Sequence, residues 1–166
     1  MLVASEEAED RWATVLDFVA RVSDPLHLSG WSLGVRLDDE LHTFNRGFDS
    51  DVSTRYAVLA LEVDLPGPVT ARTGRSQYFR TTAEAHLAYP LAHGIDRDSG
   101  HRAAAALALV QHGWSVGYLA LHFRAPQSFT DHERERLERL AASVASVMPS
   151  RPESAPTGGA ALPGPS

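Results

Sequence analysis

The sequence predicts an α+β fold, a central antiparallel β-sheet with the N- and C-terminal helices on one face and short helices on the other. Three observations carry that prediction. An apolar stripe of helical period opens the chain, two stretches of two-residue alternation read as hairpins near residues 30–48 and 103–123, and a capped amphipathic helix closes it. The chain has 166 residues, 43% of them hydrophobic and 22% charged, enough for one domain with a buried core.

The first helix places Trp12, Val15, Leu16, Val19 and Val22 on one side, with Arg11, Asp17 and Arg21 opposite. Ser23-Asp24-Pro25 stops it, because proline cannot extend the hydrogen-bond ladder. Trp31, Leu33, Val35 and Leu37 then alternate with Ser32, Gly34 and Arg36, the period of a half-buried strand. Asp38-Asp39 turns the chain, and Leu41 to Phe48 returns with His42, Phe44, Arg46 and Phe48 expected on one face. Ser50 to Leu61 is expected to carry a helix capped by Ser50 or Asp51. Pro68 suits the first position of a short helix, closed by Gly74 in the left-handed conformation. Gln77 to Arg80 reads as a short strand, and Thr82 as the cap of a helix reaching Ala88 before Pro90. His93 to His101 reads as a polar loop.

Residues 103–124 decide the architecture. Helix propensity alone favours a helix over the alanine run from Ala103. Gln111-His112-Gly113-Trp114 reads instead as a tight turn, and Val116 to Phe123 alternates, so both arms are expected to be strands. Thr130-Asp131-His132-Glu133 has the spacing of a capping box. Leu137, Leu140, Ala141, Val144, Val147 and Met148 then form the apolar stripe of the last helix, which Pro149 ends. From Pro149 onward, Pro, Gly, Ala and Ser dominate, so the expected organisation is a folded domain over 1–148 and a flexible tail over 149–166.

Composition excludes several functions. There is no cysteine, hence no disulfide, thiolate metal site or thiol nucleophile. All 15 basic residues are Arg, which removes Schiff-base chemistry and a phosphate-binding lysine. The net charge of −6 argues against nucleic acid as a partner. No apolar run reaches the length of a membrane span, and the acidic first ten residues do not resemble a signal peptide, so the expected location is cytoplasmic, with no membrane partner. No nucleophile elbow, paired-carboxylate site or zinc motif is present, and no catalytic residue is assigned. His93, Asp96, Asp98 and His101 share a metal-compatible loop, but Gly100 and Leu107 stand where a calcium loop needs ligands, and a solvated loop is the better reading.

The ordered set of elements resembles a GAF domain, a small-molecule sensor module related to PAS domains. Val116-Gly117-Tyr118-Leu119-Ala120-Leu121-His122-Phe123 is similar to the family's final strand, and Ala125 to Glu133 to its loop into the last helix. Residues 65–80 are similar to its short helix, Thr-Gly-Arg corner and following strand. The resemblance implies a stand-alone sensory or regulatory domain that binds a small organic effector between the sheet and the central helices, acting in signalling through a partner protein. The alternative is an interaction or homodimerisation module whose pocket is filled by its own side chains. The family's sulfoxide reductases and thioether-linked bilin proteins need cysteine, which this chain lacks, and its cyclic-nucleotide signature needs a lysine. Phe129, Asp131 and Glu133 echo the end of that signature but read as packing and capping residues.

Tyr78, Phe79, His86 and Tyr89 flank the central helices, and rings with polar tips suit an organic ligand. With Tyr118 and His122 on the last strand they are the candidate ligand-binding residues. His122 is also compatible with a haem or metal, although a hydrogen-bonded sheet histidine is the simpler reading. The cofactor is left unassigned. Trp12, Val144, Val147 and Met148 are expected to overhang the sheet and to support a homodimer through the terminal helices.

Overall fold

The computed structural model describes residues 6–96 and 100–150, so Asp98 and the tail beyond 150 lie outside the described residues. Helix α1 (Glu6–Ser23) leads through a single 3-10 turn into the hairpin β1 (Leu28–Leu37) and β2 (Glu40–Arg46). The middle holds α2 (Ser50–Arg55), β3 (Val58–Ala60), α3 (Pro66–Thr73), β4 (Gln77–Phe79), α4 (Thr82–Ala88) and the one-turn α5 (His93–Asp96). A long hairpin, β5 (Ala103–Gln111) and β6 (Trp114–Phe123), precedes α6 (Asp131–Val147). The six strands form one sheet in the order β3-β2-β1-β6-β5-β4, every neighbouring pair antiparallel.

The alanine run is extended. His112 and Gly113 both take positive φ, 50° and 80°, so the two-residue turn follows the right-handed twist of its strands and holds the run in register. Leu107 faces Leu119, and Leu119 faces Leu33, giving a leucine row across the sheet centre. Against this face pack Val15 and Val19 of α1, and Leu137, Ala141, Val144 and Ala145 of α6. Gly117 is needed where β6 meets β1: its φ is 154°, and a Cβ there would lie 1.9 Å from the carbonyl oxygen of Gly34.

Phe129 closes the sheet edge between Phe123 (5.6 Å between ring centroids) and Tyr78 (5.3 Å), at the cost of a left-handed φ of 47°. The Thr130 hydroxyl then accepts from the Glu133 amide at 3.2 Å and caps α6.

Several local expectations are corrected. The Ser50–Leu61 segment is a two-turn helix followed by the edge strand β3, paired to β2 through Leu41 and Leu59. Helix α3 begins at Pro66 rather than Pro68, with Gly74 closing it as expected. The cap of α4 is Thr81 rather than Thr82. Gly47, with φ of 80°, interrupts the alternation after β2 and sends Phe48 to the face opposite Phe44. Val144 and Met148 are buried and Trp12 stacks on Phe44 at 5.7 Å, so of the four residues expected to overhang the sheet only Val147 is exposed. Ala145 takes its place in the buried stripe.

Candidate functional site

A cavity of about 80 Å³ lies between the sheet and the α2–α5 side of the molecule. That is several times the ~10–15 Å³ a single water needs. Its floor follows from strand register. Asn45 pairs with Ser32, Ser32 with Ala120, and Ala120 with Ala106, so one row crosses four strands with no side chain larger than asparagine. The next row runs from His122 through Ala104 to Phe79. Small side chains on the floor leave space that the covering helices do not fill. The roof is Val52 and Tyr56 from the α2 region, the Pro66-Gly67-Pro68 start of α3, Ala85 of α4, and Ala92 and Ile95 beyond it.

Tyr118 forms one wall and is itself clamped. A Cβ on Gly34 in the sheet would lie 2.1 Å from its ring, and one on Gly67 in α3 would lie 2.5 Å from it. The ring therefore fills the space two absent side chains leave. Its hydroxyl stands 3.5 Å from Ser32 Oγ, a long contact that leaves both hydroxyls with unused bonding capacity. Burial raises the Tyr118 pKa above the ordinary phenol value, so the hydroxyl stays a neutral donor. Asn45 Nδ2 donates to Thr43 Oγ1 at 3.1 Å, which orients the amide at the floor's edge.

The opposite wall is an aromatic cluster. His122 contacts Phe48 edge-on at 5.1 Å and His101 at 4.5 Å between centroids. Ser29 Oγ lies 2.5 Å from His101 Nδ1 and donates to the His122 carbonyl at 3.1 Å, fixing the pair to β1. Burial, with His101 second, pushes the His122 pKa down to about 3, so its imidazole is uncharged at neutral pH.

Of the six residues expected to bind a ligand, Phe79, Tyr118 and His122 line the cavity. Tyr78 does not. Adjacent strand residues point to opposite faces, so with Phe79 inward Tyr78 lies under α6, donating to Glu138 Oε1 at 2.9 Å beneath the Arg134 guanidinium. Burial and the Glu138 carboxylate raise its pKa above the usual phenol range. His86 stacks on His93 at 4.1 Å outside the cavity, and His93 itself opens the one-turn α5 where a loop was expected. Tyr89 is buried behind the wall, edge-on to Phe79 at 5.9 Å, with its hydroxyl donating to Gln77 Oε1 at 2.6 Å. Sequence reasoning missed Phe48, Asn45, Tyr56 and Ser32; the Ser32, Gly34 side of β1 carried the signal, since small residues opposite an apolar strand face leave room.

Among the described residues no three His, Asp or Glu side chains are grouped to hold a metal, and no helix is long and apolar enough to cross a membrane.

A GAF domain model matches residues 9–148. The chain belongs to the GAF domain family. No curated protein sequence matches it. Among solved structures, the GAF chain is similar to a type II free methionine-R-sulfoxide reductase from Thermoplasma acidophilum, with TM-score 0.66 and 10% identity, covering 84% of this chain and 92% of that one. It is similar to the GAF domain region of a protein from Geobacter sulfurreducens at TM-score 0.63 and 18% identity, covering 86% of this chain and 97% of that one. The GAF-B domain of DevS from Mycobacterium smegmatis gives 0.59 and 18%, covering 81% and 90%. At these identities the likeness is one of fold. GAF domains are generally sensory or regulatory.

Proposed function

We propose that this GAF domain is a cytoplasmic sensor that binds a small organic effector in the cavity between β1, β6, β5 and the α2–α5 segments, and passes the change to a partner protein. The observation that carries the reading is the floor of Asn45, Ser32, Ala120 and Ala106, where four small residues in register leave space that the covering elements do not fill. A self-filled pocket would close here. Binding rather than catalysis fits the chain, which has no cysteine for the sulfur chemistry of reductases in this family.

Strand β4 supplies a route for output. Phe79 touches the cavity while its neighbour Tyr78 holds α6 through Glu138 and Arg134. A ligand that moves Phe79 shifts the same three-residue strand that positions α6, where a partner would read it. The test is a thermal-shift screen of metabolites, since a ligand that binds only the native state raises the melting temperature. A hit lost in Ala120→Leu supports the reading; a broad panel with no hit contradicts it.

A further inference from the structure

We infer that the effector is an uncharged molecule about the size of a single ring, with an apolar body and one hydrogen-bonding group that docks between Ser32 Oγ and Tyr118 Oη. This deepens the sensor reading above and rests on it. No Asp, Glu, Lys or Arg is among the described residues lining the cavity. The lining groups able to ionise are Tyr56, Tyr118 and His122; Tyr118 is held in its neutral form by burial, and His122 is neutral at ordinary pH. A carboxylate, phosphate or ammonium entering here would lose its hydration and find no counter-charge, a penalty far above the gain from apolar contact.

The rest of the lining selects an apolar body. Leu59, Leu65, Pro68, Ile95 and Phe79 offer only carbon, and the three floor alanines add flat area on which a ring can lie. Of the polar side chains in the lining, which also include Asn45, Tyr56 and His122, those of Ser32 and Tyr118 stand together as a pair of hydroxyls. Ser32 and Tyr118 face each other across 3.5 Å, too far for a strong mutual bond and well spaced for a ligand oxygen bonded to both. Buried hydroxyls with spare capacity favour a ligand that supplies the missing partner.

Titration calorimetry at neutral pH with four ring compounds of matched size tests this: benzyl alcohol, toluene, benzoate and benzylamine. Benzyl alcohol is expected to bind tightest, with benzoate and benzylamine weaker by at least about tenfold, the cost of one unpaired charge being more than 1.4 kcal/mol. Ser32→Ala and Tyr118→Phe should each weaken benzyl alcohol several-fold and leave toluene unchanged. Ala120→Leu should abolish binding of both while circular dichroism and melting temperature report an intact fold. Benzoate or benzylamine binding as well as benzyl alcohol would overturn the uncharged class, with the sensor reading still standing. Equal loss of toluene and benzyl alcohol in Ser32→Ala and Tyr118→Phe would overturn the docking point. If none of the four binds, the proposal falls, and the sensor reading falls with it only if the metabolite screen is also blank.

Discussion

The two faces of the sheet are built from the same strands and packed to opposite ends. On the side of α1 and α6, Leu33, Leu119 and Leu107 form a row with no solvent exposure, and Val15, Val19 and Val144 meet it equally closed. One residue along each strand, the other face presents Ser32, Ala120 and Ala106. The short elements above it enclose a cavity. Alternation of large with small along β1, β5 and β6 thus separates support from binding: one face fixes the domain, the other leaves room.

The largest effect is expected where the filled face is emptied. Leu119→Ala removes a side chain with no exposure, and denaturant unfolding should show a loss of about 2–5 kcal/mol. On the hollow face the vulnerable points are the glycines that admit Tyr118. Gly34→Ala forces a Cβ into its ring and should cost about 1–3 kcal/mol, with Gly34→Ala/Tyr118→Ala less destabilised than the sum of the two single variants.

His122 ties the hollow face to pH. Its folded pKa is depressed to about 3, against ~6.5 when unfolded, so below pH 6.5 the unfolded chain takes up a proton that the native chain refuses. Stability should therefore fall as pH drops from about 6.5 toward 3, with a slope from this group approaching ~1.4 kcal/mol per pH unit. In His122→Gln that part of the slope should vanish when unfolding is followed across the same range. Thr130→Ala, which loses only the α6 cap, should cost about 1 kcal/mol in denaturant unfolding and leave ligand binding unchanged.

Much of this was legible in the residues. The helical stripe from Trp12, the alternation in β1 and β6, the His112-Gly113 turn and the Thr130 cap each specify their own local geometry, and the fold follows from them. Strand β3 was not legible, because three residues from Val58 carry too little pattern and are extended only through pairing with β2. Phe48 was misplaced because Gly47 resets the alternation. Tyr78 could have been separated from Phe79 by alternation alone, since one strand cannot turn both toward the same cavity. His86 and Tyr89 depended on how α4 rotates against the sheet, which side-chain packing sets rather than local sequence. The alanines were visible from the start, but an alanine floor and an alanine-filled core look alike until register shows what lies above them.

The contrast between the faces is tested most directly by placing the same added bulk on each and comparing melting temperatures. Ala103→Leu enters the filled face, where Ala103 has no exposure, and should destabilise by about 1–3 kcal/mol. Ala120→Leu enters the cavity and should leave the melting temperature unchanged or raise it. Equal destabilisation by the two substitutions would mean that the space above Ala120 is already occupied by the protein, and would contradict the account.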